Sequence, residues 1–105
     1  MEITSQELQE KIKQGEPLLI DFYASWCGPC KVMKPWFEKA AKELNEGSGT
    51  KLYTFNIEND KDFAVGQLGV RSVPTIKGFS GGKEVHHSVG VLTEDKIKSL
   101  AKTII

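Results

Sequence analysis

The stretch Leu18-Leu19-Ile20-Asp21-Phe22-Tyr23-Ala24-Ser25-Trp26-Cys27-Gly28-Pro29-Cys30-Lys31 carries two messages. Its first half, Leu18 to Ala24, is apolar at every position except Asp21 and does not alternate. Such a run reads as a strand buried on both faces. Its second half sets two cysteines three positions apart at the start of a helical pattern. From about Cys30 to Leu44, the residues Met33, Phe37, Ala40, Ala41 and Leu44 recur at helical spacing and form one inward stripe. Pro35 falls within that pattern and removes a backbone donor, so a kink is expected there. Trp36 lies off the stripe and is assigned to packing.

Working outward, strands and helices alternate, which places the chain in the α/β class. Thr4 and Glu7 have the spacing of a capping box, and Ile3 and Leu8 that of a hydrophobic staple, so a first helix begins near Thr4 and ends at Gly15. Leu52 to Ile57 reads as a strand, and roughly Asp60 to Leu68 as a short helix closed by Gly69. Thr75 to Phe79 and Glu84 to Val89 read as strands joined through Ser80-Gly81-Gly82-Lys83, a hairpin turn. A last helix begins at Thr93 and buries Ile97, Leu100, Ala101 and Ile104. Residues 1 to 3 add a stub of strand. A parallel half followed by an antiparallel half predicts a mixed sheet of four to five strands flanked by four helices, within one domain spanning residues 1–105.

Composition narrows the function. The 105 residues suffice for one core. Fourteen basic residues balance fourteen acidic ones, which argues against nucleic acid and anionic membrane as partners. The apolar run at Leu18 to Ala24 is too short to span a bilayer. The start is polar and acidic rather than signal-like, and a secreted disulfide scaffold would carry more than two cysteines. These features point to the cytoplasm.

The cysteine spacing has a chemical consequence. At a helix N-terminus, free N–H groups and the positive end of the dipole stabilise an anion, which lowers the thiol pKa of Cys27. The thiolate is the species that attacks disulfides. Cys30, one turn further in, is expected to be the more buried and to attack Cys27 once a mixed disulfide has formed. Gly28 leaves a bare surface for an incoming backbone, and Pro29 presets φ for helix entry. No histidine or extra cation stands between the cysteines, which favours a reductant over an oxidant. Asp21, in its apolar surroundings, reads as a buried acid. Zinc would require two more ligands, and the adjacent His86 and His87 point to opposite faces of a strand. Those histidines are assigned to a solvated edge. The charges along the long helix form a solvated face, with Lys31 and Lys34 near enough to the cysteines to meet an acidic partner.

The run from Asp21 to Lys31, then Pro35, then Gly69-Val70-Arg71-Ser72-Val73-Pro74-Thr75, then Gly90, resembles the thioredoxin family in order and spacing along nearly the whole chain. Trp26-Cys27-Gly28-Pro29-Cys30 is its most specific part. The resemblance implies a thioredoxin fold and a thiol–disulfide oxidoreductase that reduces protein disulfides. It makes Cys27 the nucleophile, Cys30 the resolving thiol and Asp21 the buried acid behind them. Trp26 shields the site. Pro74 is a cis-proline facing the disulfide, Val73 offers its backbone to the substrate, and Gly28, Pro29, Gly90 and Val91 complete the substrate surface. It further implies a monomer without bound cofactor, supplied with electrons from NADPH by a thioredoxin reductase, with disulfide-containing proteins as substrates. The alternative is a non-catalytic binding module that serves as a subunit of a partner complex. Two departures stand out. Family members commonly carry a lysine where this chain has Thr54, which would leave Asp21 without a cationic neighbour. Lys77 and Gly78 are poor residues for a covered strand.

Overall fold

The computed structural model describes residues 2–47 and 49–104. Along the chain come α1 (Ser5–Lys13), β1 (Leu18–Tyr23), α2 (Gly28–Leu44), β2 (Lys51–Asn56), β3 (Thr75–Ser80), β4 (Lys83–Val89) and α3 (Glu94–Ile104). A single 3-10 turn, Ile57–Asn59, and a π-helical segment, Asp62–Gln67, lie between β2 and β3. Among the described residues the sheet has four strands in the order β2-β1-β3-β4. β1 pairs in parallel with β2 and antiparallel with β3, and β3 pairs antiparallel with β4. The mixed sheet of the sequence reading is therefore present. A fifth strand is reduced to a bridge between Glu2 and Thr54, and Met1, part of the expected stub, lies outside the described residues. Three α-helices and the π-helical segment stand where four helices were expected. The latter forms because Leu68 N–H reaches back five residues to the Phe63 carbonyl.

Local chemistry accounts for these elements. Thr4 caps α1 through the full capping box, its hydroxyl accepting from Glu7 N–H and Glu7 accepting from Thr4 N–H. Gly81 and Gly82 both take positive φ, 62° and 82°, as a two-residue hairpin turn requires. The helix α2 begins at Gly28 rather than Cys30 and runs through Pro35.

The central strand β1 is buried on both faces, so it belongs to two cores. Leu18, Ile20 and Phe22 pack with Leu8 of α1, Phe55, Phe63 and Phe79. Leu19 packs on the opposite side with Met33, Phe37 and Ala40 of α2, and with Ile76, Ile97 and Ala101. Trp36 and Leu100 are only partly buried at that second core.

The two misfit residues of β3 have cross-strand explanations. Lys77 is 2% exposed, and its ammonium donates to the Glu84 carboxylate on β4, with His87 Nδ1 3.3 Å away. The charge is buried but paired. Gly78 leaves room for α3: a Cβ there would stand 2.6 Å from Ile104 Cδ1 and 3.2 Å from His86 Cβ. A side chain at this position would force the Ile104 side chain of α3 to shift.

Candidate active site

The strand-to-helix junction is the focus of the site. β1 delivers Ala24 into the interior, and the chain then emerges through exposed Ser25 and Trp26 before Cys27 caps α2. The Ser25 N–H donates to a Glu58 carboxylate oxygen at 2.7 Å, which ties this loop to the end of β2. That N–H holds Glu58 below the usual carboxylate range. Cys27 takes an extended conformation, and its Sγ accepts from the Cys30 N–H at 3.2 Å. The sulfur therefore sits where a capping oxygen would, facing the unpaired donors of the first turn. Pro29 falls in that first turn, where its missing N–H costs nothing.

Cys27 and Cys30 are joined as a disulfide, with Cα atoms 5.3 Å apart. The expected contrast in burial between them is absent, since each is 4% exposed. The bond pulls both sulfurs into one small cluster with Ala24, flanked by Tyr23, Ile57 and Val73. Exposure here belongs to their neighbours: Gly28 and Pro29 are exposed, and Trp26 is 69% exposed.

On one side of the disulfide is a shallow groove of about 300 Å³ lined by Trp26, Ile57, Val65, Val70, Arg71 and Val73. The Val73–Pro74 peptide is cis. The Gly90 N–H donates to the Pro74 carbonyl at 2.9 Å, and this contact needs the positive φ of 105° that Gly90 adopts. Val91 follows, exposed. The predicted residues Trp26 and Val73 thus meet in one groove, with Pro74 and Gly90 bonded to each other. Ile57, Val65 and Arg71 were not singled out in the sequence. Val65 lies in the π-helical segment and Arg71 in the irregular stretch before β3, and no apolar periodicity marks either as groove lining.

On the other side lies a cavity of about 400 Å³, lined by Asp21, Cys30, Tyr23, Thr54 and Glu2, and reaching the surface past Lys31, Lys34 and Glu38. Asp21 is 3% exposed, and its Oδ1 has no hydrogen-bond partner among the described residues. Burial, with the charge of Glu2 adding to it, pushes the Asp21 carboxyl up from 3.8 to about 7. Thr54, which pairs with Asp21 in register, supplies no cation. Its hydroxyl donates to Glu2 Oε1 at 2.8 Å, and Tyr23 OH donates to the same oxygen at 2.8 Å. Burial and this carboxylate hold the Tyr23 phenol well above its ordinary range. Glu2 was missed because it lies 52 residues from Thr54 in sequence and looks like any polar residue near a chain start.

Reversible opening and closing of one dithiol is the chemistry this junction supports, which defines the class as thiol–disulfide oxidoreductases. Comparison with known proteins supplies the family. The thioredoxin family model matches residues 1–103. A thioredoxin of Chlorobaculum thiosulfatiphilum is 37% identical over 97 residues, covering 91% of this chain and 87% of the relative. A thioredoxin of Mycoplasma pneumoniae is 36% identical over 94 residues, covering 90% and 88%. Among solved structures, a mutant thioredoxin from Halobacterium salinarum superposes with a TM-score of 0.80 at 29% identity, covering 99% of this chain and 87% of that one. The chain belongs to the thioredoxin family. It is a protein-disulfide reductase acting through its cysteine pair.

Proposed function

We propose that Cys27 is the attacking thiol and Cys30 the resolving thiol, and that an NADPH-dependent thioredoxin reductase restores the pair after each turnover. The observation that carries the assignment is the position of Cys27 Sγ at the N-terminus of α2, within hydrogen-bond reach of the Cys30 N–H. An anion on that sulfur is stabilised by the helix end, so Cys27 ionises more readily than an ordinary thiol of pKa ~8.5. The Cys27 thiolate attacks one sulfur of the substrate disulfide. That bond breaks, and the departing substrate thiolate takes a proton. Cys30 then loses its proton to Asp21, across the cavity both residues line. The Cys30 thiolate attacks Cys27 Sγ, closes the Cys27–Cys30 bond and releases the second substrate thiolate, which takes up a proton, while Asp21 gives up the one it accepted. Two electrons and two protons pass from the dithiol to the substrate. Asp21 suits the acceptor role because a carboxyl titrating near 7 is poised for proton transfer at neutral pH.

The substrate docks as an extended segment against Val73 and cis-Pro74, beside Trp26, Gly28, Pro29, Gly90 and Val91. Main-chain hydrogen bonds of this kind make few demands on sequence. The domain spanning residues 1–105 works as a cytoplasmic monomer with no bound cofactor. In support, both of its cysteines belong to the site, leaving none for the structural disulfides of oxidising compartments.

Two measurements test this reading. With a thioredoxin reductase and a disulfide-bonded substrate protein, the chain should drive continuous NADPH oxidation, and its absence would refute the reductase assignment. Equilibration with glutathione should place the couple near the reducing end, about −270 mV, the value characteristic of thioredoxins. A result near −180 mV, the range of isomerases, would contradict a reductant. Pro29→His should raise the potential by favouring the Cys27 thiolate of the reduced form.

A further inference from the structure

We propose that Glu2 is a positioning residue for the reduction: clamped at the rim of the cavity by the hydroxyls of Thr54 and Tyr23, it controls how Asp21 exchanges its proton with solvent. This rests on the reading of Asp21 as proton acceptor. The clamp is built by the sheet. Asp21 and Thr54 are register partners on β1 and β2, and Tyr23 lies two residues beyond Asp21 on the same face. Glu2 is bridged to Thr54 along the backbone, and Ile3 N–H donates to the Thr54 carbonyl at 2.9 Å. The Glu2 side chain is thereby delivered to the face that holds Asp21. Oε1 accepts from Thr54 Oγ1 and from Tyr23 OH, each at 2.8 Å, and Oε2 stands 3.0 Å from Tyr23 OH. Both donors are therefore committed to the outer carboxylate, while the inner one, Asp21, keeps Oδ1 buried with no hydrogen-bond partner among the described residues.

The cavity thus carries two carboxyls, Asp21 buried within it and Glu2 at its exposed rim. The other charged or titratable groups facing the cavity are Tyr23 on β1 and Cys30, Lys31, Lys34 and Glu38 on α2. Of all these, Glu2 is the one whose charge adds to burial in favouring the protonated form of Asp21. A like charge makes ionising Asp21 harder and makes the ionised form a stronger base for Cys30.

The test is the rate at which a preformed mixed disulfide on Cys27 resolves, followed against pH in single turnovers of wild type, Glu2→Gln, Asp21→Asn and the double variant. Glu2→Gln keeps an acceptor for both hydroxyls and removes the charge. The acid limb of the profile should move to lower pH by up to about one unit. A full unit, from about 7 to about 6, raises the ionised fraction of Asp21 at pH 6 about fivefold. The plateau above pH 8 should fall, because the base is weaker. An acid limb that stays in place overturns the proposal. In the Asp21→Asn background, Glu2→Gln should change nothing. A change there as large as in the wild type would mean that Glu2 acts through the fold, which also overturns it. If Asp21→Asn alone leaves the acid limb intact, the acceptor reading of Asp21 fails. The Asp21 carboxyl-carbon NMR titration then decides the role of Glu2 separately: a lower midpoint in Glu2→Gln upholds its control over the Asp21 proton, and an unchanged midpoint refutes it.

Discussion

The disulfide separates two unlike regions. The groove toward Trp26 and Val73 is shallow and open, lined by Trp26 and aliphatic side chains with Arg71 and Ser72 at one end. The cavity toward Asp21 is more enclosed and brings together a buried carboxyl, a phenol, a threonine hydroxyl and a glutamate. A disulfide reductant must meet many protein surfaces and perform one chemical exchange. The groove suits the first task, because several weak apolar contacts tolerate varied partners. The cavity suits the second, because proton transfer depends on particular groups at fixed positions. Changes in the groove should therefore act on binding, and changes in the cavity on rate and pH dependence.

The cysteines lie between the two regions, packed against Ile57 and Val73 of the groove and with Cys30 lining the cavity, and the largest effect is expected there. Cys27→Ser should abolish reduction of a disulfide substrate, a loss of at least about a thousandfold, since the remaining thiol, Cys30, lies inside the first turn of α2 rather than at its N-cap and has no partner thiol to complete the exchange. Cys30→Ser should stop turnover while trapping substrates on Cys27, detectable as mixed disulfides under non-reducing conditions. Trapping on position 30 in Cys27→Ser, at the wild-type rate, would reverse the roles assigned to the two thiols.

Next in size is the buried carboxyl. Asp21 titrates at about 7 in the folded chain, against an ordinary 3.8. Below about pH 4 both folded and unfolded states hold the proton, so burial carries no ionisation penalty. As pH rises, the unfolded chain ionises first and stability falls, until the folded carboxyl ionises as well near pH 7. The difference of about 3 units corresponds to about 4 kcal/mol. Asp21→Asn should thus stabilise the fold by about 3 to 4 kcal/mol at pH 8 and by little at pH 4, while slowing turnover. Denaturant unfolding at the two pH values measures the first effect. Equal differences at both would show that Asp21 is not a desolvated acid. Unchanged turnover would confine it to stability and erase the contrast between groove and cavity.

The unequal legibility of these regions has a physical basis. The strand-helix junction is local: a doubly buried strand and a helical stripe are each written in consecutive residues, and so is the cysteine spacing between them. The carboxyl of Asp21 is conspicuous for the same reason, as one charge in an apolar run. Glu2 and Glu58 are different. Each becomes part of the site by meeting a residue far away in sequence, Thr54 in one case and Ser25 in the other, and before folding each is an unremarkable acid. Lys77 and Gly78 looked wrong for β3 because strand propensity weighs a residue without its neighbours. With Glu84 on the next strand and Ile104 above, an ammonium and a missing side chain fit the places they occupy. Position on the helix alone predicts a more exposed Cys27, and the closed bond, which draws both sulfurs inward, is what equalises the two.

β3 supplies a control that touches neither region. Gly78→Ala brings a Cβ within 2.6 Å of Ile104 Cδ1, the movable end of a side chain, so the strain is modest. A loss of about 1 kcal/mol is expected, with activity per folded molecule unchanged. Ile104→Val removes the clashing methyl. The double variant should therefore be more stable than the two single losses predict, by about 0.5 to 1 kcal/mol in a double-mutant cycle. Simple additivity would show that Gly78 is required for some reason other than the approach of α3.

The smallest effect is expected in the groove, and it bears most directly on the contrast. Val65 is exposed and lines the groove with Trp26 and Val73, without contributing a titratable group. Val65→Ala deletes two methyl groups from the surface offered to a substrate. Full burial of both would be worth about 1.5 kcal/mol, and partial burial under a docked segment about half of that. KM for a protein disulfide should rise about threefold to fourfold, with kcat and the pH profile unmoved. Glu2→Gln in the cavity should do the reverse, moving the pH profile and leaving KM in place. The pair separates recognition from proton handling even though each change is small. If Val65→Ala shifted the acid limb, or if Glu2→Gln raised KM while leaving the limb fixed, the two sides of the disulfide would not divide the work as their chemistry suggests. A common effect of both on KM alone would instead mean that the substrate reaches around the disulfide and contacts the rim of the cavity.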